Sequence, residues 1–312
     1  MASSIASTIA STGVPLPRPG GRVPRSSKCH ASFTSETSTS TAFKPPPGTI
    51  SGAASEARAV LRLLREASQQ NIACPKRVRI ELPLPLVDLD PDVFAFAGLH
   101  GQASDWSGGL GQRFRVTKGL IDDYVLDGYE NEYLGLLDRD ADGMGVWRVG
   151  GGSEGEGGHD CTVVTHPADT TAGFFLKLLD GEYGKAVTKS NHLIVVVNAF
   201  WSGSGEKVGQ PWEFGLREQA KQVLSVKDGG WEKVYCARRC RSASGVEGTL
   251  CRKWPEPWRL FNTEGVRVVL ETNDEPSNRQ IAEALNSDAN VGDAAGYNRK
   301  GVDTSRDDDV IT

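Results

Sequence analysis

The densest carboxylate pattern in the chain is Asp138-Arg139-Asp140-Ala141-Asp142-Gly143. Carboxylates at positions 1, 3 and 5 with glycine at 6 reproduce the first half of a calcium loop. Position 12, where such a loop needs a bidentate glutamate, is Val149, and the residues after Gly143 read as a Trp-containing strand rather than a second helix. An acidic turn is the plainer reading. Asp138, Asp140 and Asp142 stay weak metal candidates, and no cofactor is expected. Cys236, Cys240 and Cys251 offer one C-x3-C knuckle and a third thiol, short of the paired knuckles and four ligands of a zinc site. Free buried thiols are the default expectation, with a redox-regulated disulfide as the alternative if the three share a face.

Phosphate chemistry is the next class to weigh. No G-x-x-x-x-G-K-[ST] occurs, and Gly203-Ser204-Gly205 with Gly209 misses the dinucleotide spacing by one residue. Gly108-Gly109 ahead of a helical pattern carrying Gln112, Arg113 and Arg115 makes a better anion pocket, since free backbone N–H groups and the helix dipole attract negative charge. His166 and Asp169 follow one expected strand and Asn198 the next, at the edge where open α/β sheets take their ligands. Such polar residues also cap helices. The candidate ligand-binding set is therefore Gly108, Gly109, Gln112, Arg113, His166, Asp169 and Asn198, for a small anionic ligand. His159, His166 and His192 are isolated in sequence, so no catalytic constellation is expected and the reading leans away from an enzyme. Trp254-Pro255-Glu256-Pro257-Trp258 interrupts sheet pairing twice. Its Trp254, Pro255, Pro257 and Trp258 are candidates for an exposed partner-binding surface.

These residues need elements to hold them. Ala57, Val60, Leu61, Leu64 and Ala67 repeat at helical spacing, and Val78 to Leu82 alternates as a strand that stops at Pro83. A second helix is expected over 110–126, a short strand over 162–165, and a helix through Phe174 and Leu178 that ends at Gly181. Leu193 to Val197 reads as a buried strand and Trp212 to Leu224 as a helix with Trp212, Leu216, Ala220 and Val223 in phase. Strands over 232–237, 248–252 and 266–270 close the body. Strands alternating with helices predict a layered, Rossmann-like α/β fold: a mostly parallel central sheet, helices on both faces, and antiparallel strands toward the C-terminal end.

Composition divides the chain into three parts. The first acidic residue is Glu36; before it lie many Ser and Thr residues with Arg18, Arg22, Arg25 and Lys28. A Ser-rich, basic, acid-poor start predicts an organelle transit peptide over 1–42, and the prolines from Pro15 to Pro19 favour chloroplast over mitochondrion. The segment carries four basic groups and one acid, so without it the net charge of -5 becomes more negative. That excludes a general nucleic-acid binder. No apolar run reaches the roughly 18 residues of a membrane span; a peripheral membrane contact remains compatible. From Thr272 the sequence turns rich in Asp, Asn, Ser and Gly, which predicts an acidic solvated tail over 272–312 with one short helix near Arg279 to Leu285. One domain is left over 43–271.

Three stretches carry a family resemblance: Trp231-Glu232-Lys233-Val234-Tyr235, Gly245 to Leu250 with the Trp254–Trp258 ending, and Asp105 to Gly109 with Gln112-Arg113-Phe114. Asp142 to Trp147 adds to them. Together they resemble the plastid DUF1995-domain family. It includes the low photosystem II accumulation factor and a domain appended to a chloroplast adenylate kinase. The resemblance, over roughly residues 50–262, implies residence in the stroma or on the stromal face of thylakoids. It also implies protein partners and a non-enzymatic role in assembly or upkeep of the photosynthetic apparatus. No catalytic residue carries over.

Overall fold

The structure, a computed structural model, describes residues 45–84, 109–137, 143–150, 159–199, 201, 208, 212–225, 229–262, 264–265 and 267–294. Helix α1 (Ile50–Gln69) opens at Thr49, whose hydroxyl accepts the Gly52 N–H at 3.0 Å. It ends where Asn71 turns left-handed and Ile72 N–H returns to Ala67 O at 2.8 Å. Its buried stripe is Ala53, Ala57, Val60, Leu61 and Leu64, the face expected from the spacing.

Nine strands among the described residues form one sheet in the order β2-β3-β4-β5-β1-β6-β7-β8-β9. They are β1 (Arg77–Glu81), β2 (Asn131–Leu136), β3 (Gly145–Gly150), β4 (His159–Thr165), β5 (Leu193–Val197), β6 (Trp231–Arg241), β7 (Glu247–Lys253), β8 (Trp258–Asn262) and β9 (Val268–Thr272). Only β4-β5, β5-β1 and β1-β6 pair in parallel; the other five pairings are antiparallel. The α/β class holds, but the mostly parallel Rossmann-like sheet does not. The reason is the connections. A parallel pair needs a long crossover, whereas short turns return the chain antiparallel. Helices α3 (Ala172–Leu179) and α4 (Phe214–Leu224) supply crossovers, while β6 to β9 are joined by turns alone.

Side-chain alternation along β5 shows the layers. Leu193, Val195 and Val197 face α1, whereas Ile194 and Val196 face α3 and α4. Helix α2 (Gly109–Leu120), continued by a π-helical turn over Ile121–Val125, joins the α1 layer through Ile121, Val125 and the half-buried Phe114. On the opposite face Phe175, Trp201 and Trp231 pack ring to ring, with centroids 5.6–5.7 Å apart.

The tail expected from Thr272 is instead partly built into the domain. Helix α5 (Asn278–Ala294) buries Ile281 and Leu285 against Cys236, Leu250, Trp258 and Leu260. Its start is a capping box: Ser277 N–H donates to Gln280 Oε1 at 2.9 Å, and Gln280 N–H to Ser277 Oγ at 3.3 Å. Polar composition masked two apolar residues at i and i+4, enough to dock one helix. Trp212 also departs from its expected place in the helix: it precedes α4 and is 72% exposed. The expected transit peptide over 1–42, the end of the tail beyond 294, and the Gly203 to Gly209 loop except Val208 lie outside the described residues.

Candidate functional site

Strands β4, β5 and β1 run in parallel, so their carboxyl ends meet at one edge of the sheet. Both β4 and β5 leave the sheet through a left-handed residue, His166 at φ 47° and Asn198 at φ 53°. Asparagine and histidine both tolerate that conformation better than most side chains, but it is uncommon for either, so the surroundings must hold it. Three backbone-directed bonds hold the turn in place. His166 N–H donates to Val197 O at 2.9 Å, Asn198 N–H to Ile80 O at 2.9 Å, and Leu82 N–H to Asn198 Oδ1 at 2.8 Å.

Helix α2 closes this edge from one side. Thr117 Oγ1 lies 2.7 Å from His166 Nε2, and both residues are buried. Arg113, one helical turn before Thr117, is 5% exposed. Burial first, and then the Arg113 charge, push His166 down to about 3, against a weaker opposing hydrogen bond with the Asn198 backbone. The imidazole is therefore neutral through the whole physiological range. Asn198 is fully buried, and its Nδ2 has no hydrogen-bond partner among the described residues; the same holds for the indole Nε1 of Trp201.

The other face of the edge carries charge. Arg79 lies 5.1 Å over the Trp201 ring and 3.7 Å from Glu81. Glu81 holds Lys233 at 2.6 Å, Lys233 reaches Glu275 at 2.6 Å, and the Cys236 thiol donates to Glu81 at 3.3 Å. Burial raises the Glu81 carboxyl, but Lys233 and Arg79 outweigh it and leave it below its usual range.

Of the expected ligand set, the structure brings Arg113, His166 and Asn198 together. Gly109 opens α2, and Asp169 sits half-buried in the turn before α3, at the same edge. Gly108 and the side chain of Gln112 lie outside the described residues. Thr117, Glu81 and Lys233 were not legible as site residues. Thr117 had one signal, its i+4 spacing from Arg113. The two charged strand residues carry no local sign that a second layer will cover them.

The other candidates resolve differently. Asp138, Asp140 and Asp142 lie outside the described residues, and no group of three or more possible metal ligands occurs among those described. The cysteines do not share one face: Cys236 and the half-buried Cys240 belong to the α5 side, whereas Cys251 pairs with Ala237 on the α1 side. Cys236 and Cys240 stand about 13 Å apart along one strand, beyond the ~7 Å Cα reach of a disulfide. All three are free thiols, and burial pushes each of them up.

Trp258 is not exposed, contrary to expectation. The two prolines fall in the turn between β7 and β8, so Trp258 begins β8 facing inward, 4% exposed, with Lys233 Nζ 5.5 Å over its ring. Trp254 is half-buried and Pro255 exposed. They line a groove of about 450 Å³ against Val60 and Leu63 of α1.

No helix among the described residues is long and apolar enough to cross a membrane. No protein-family model, curated protein or solved structure matches the chain.

Proposed function

We propose that the chain is an α/β binding module for a small phosphate- or carboxylate-bearing ligand, seated at the carboxyl edge of β1, β4 and β5. The observation that carries this reading is the Asn198 carboxamide: wholly buried, its oxygen committed to Leu82, its Nδ2 without a partner among the described residues. Leaving such a donor unsatisfied costs about 1–3 kcal/mol, and an acceptor oxygen of a ligand would recover it. The nearby Arg113 favours an anionic acceptor, and the location is where open α/β sheets bind ligands. Binding rather than catalysis is favoured because a histidine held neutral down to about 3 is too weak a base for proton transfer near pH 7. Adenosine monophosphate and inorganic phosphate, screened separately by thermal shift, are the probes. At least one is expected to raise the midpoint, since ligand at a hundred times Kd adds about 2.7 kcal/mol. A flat response to both contradicts the reading.

The setting of that module, we further propose, is the chloroplast stroma or the stromal thylakoid surface, with a role in assembly or upkeep of the photosynthetic apparatus. Its support is the basic, acid-poor first 35 residues and the resemblance of the Trp231–Trp258 stretch. The groove beside Trp254 and Leu63 favours protein contact there. Residues 1–42 fused to a fluorescent protein are expected to enter chloroplasts; fluorescence confined to the cytosol contradicts the address.

A further inference from the structure

A second cavity, of about 220 Å³, lies along β2 and β3 and extends to His192 ahead of β5; it shares no lining residue with the Asn198 edge. Leu134 and Leu136 of β2, Val146 of β3, Leu178 of α3 and Val187 of the following 3-10 turn line it. Among these apolar walls sits one cation, Arg148 of β3. It is half-buried, and it makes no hydrogen bond, ion pair or ring contact among the described residues. Glu132 stands opposite it in the β2-β3 register, yet the two carry no ion pair. On its other side lies Thr162, in register on β4, whose Oγ1 is 2.9 Å from His192 Nε2.

We infer that this cavity is a binding site for a small monocarboxylate with an apolar body. A guanidinium presents a planar fork of donors that matches a carboxylate in two parallel bonds. Half-buried among leucine and valine side chains and without an ion pair to Glu132, it keeps donors that a ligand oxyanion could take. The ligand that completes it must bring both an oxyanion for Arg148 and apolar surface for the walls. A cavity of about 220 Å³ lies below the roughly 300–1,000 Å³ of drug-sized sites, so the body is short. The exposed Leu134, Leu136 and Tyr183 leave the mouth open to solvent.

Calorimetric titration of the full chain with sodium hexanoate tests this, with 1-hexanol as the uncharged match. Hexanoate is expected to bind saturably and at least tenfold more tightly than hexanol. Arg148→Gln is expected to erase that preference, and Ala186→Leu, which fills the cavity from the 3-10 turn, to weaken both probes. Equal binding of hexanoate and hexanol overturns the inference, as does unchanged hexanoate affinity in Arg148→Gln. If that variant does not fold, unchanged affinity in Ala186→Leu is equally decisive. Displacement of hexanoate by adenosine monophosphate would also overturn it, because the two sites share no residue.

Discussion

Replacing Glu81 by alanine is expected to destabilise the protein by about 3–5 kcal/mol, read as a lower urea midpoint with an unchanged slope at pH 7. Glu81 and Lys233 have side chains only 7% and 10% exposed, 2.6 Å apart. Their attraction offsets two desolvation penalties; removing the carboxylate leaves one penalty standing. Arg79 and Arg238 already act on the same carboxylate, so its loss leaves neighbouring cations facing one another. Lys233 keeps only the more exposed Glu275, and the Cys236 thiol loses its acceptor. The same pair has a pH signature. Glu81 is lowered in the folded state from a usual value of 4.5. Its contribution is therefore complete above pH 4.5 and is lost as pH falls through the lower folded value. A loss below about 1 kcal/mol in Glu81→Ala, within the range of an exposed pair, would contradict this picture.

The second large effect comes from His166. Its folded value of about 3 lies far under the ordinary 6.5, so the unfolded chain takes up a proton that the fold refuses. Stability is complete above pH 6.5 and falls by about 1.4 kcal/mol per pH unit below it, on the order of 4–5 kcal/mol by pH 3. Between pH 6.5 and 4.5 Glu81 is still mostly ionised, and this window holds about 2–3 kcal/mol of the loss. His166→Asn, which suits the left-handed backbone, is expected to flatten the slope there. Urea midpoints of both proteins at pH 7 and pH 4.5 make the comparison; equal losses in the two contradict it.

How much of this was legible in the sequence depends on whether the cause is local. The α1 stripe and the β-branched run of β5 follow from spacing alone, and both lie where expected. The pairing of strands does not follow, because parallel or antiparallel geometry is set by partners far away in the chain. β2 is an edge strand with little alternation and mostly exposed residues, and nothing in Asn131–Leu136 marks it as the partner of β3. Helix α5 is half legible: Ile281 and Leu285 stand out at i and i+4, while the polar composition around them obscures the Ser277–Gln280 capping box. At the site, Arg113, His166 and Asn198 could be named because each stands at an element boundary. Glu81 and Lys233 could not, since alternation assigns charged strand residues to solvent until a second layer, here the Trp201 and α5 side, covers them.

The account rests on Asn198 as the donor that awaits a ligand, and Asn198→Asp isolates it. Aspartate keeps an oxygen for the Leu82 N–H and is at home in left-handed backbone, but it exchanges the unpartnered donor for an acceptor. Titration calorimetry of the native chain and this variant with adenosine monophosphate, and again with inorganic phosphate, is the most direct measurement. The account predicts saturable binding of at least one probe by the native chain and at least a tenfold loss, about 1.4 kcal/mol, in the variant. Equal affinity in the two proteins, or no binding of either probe to the native chain, would contradict it.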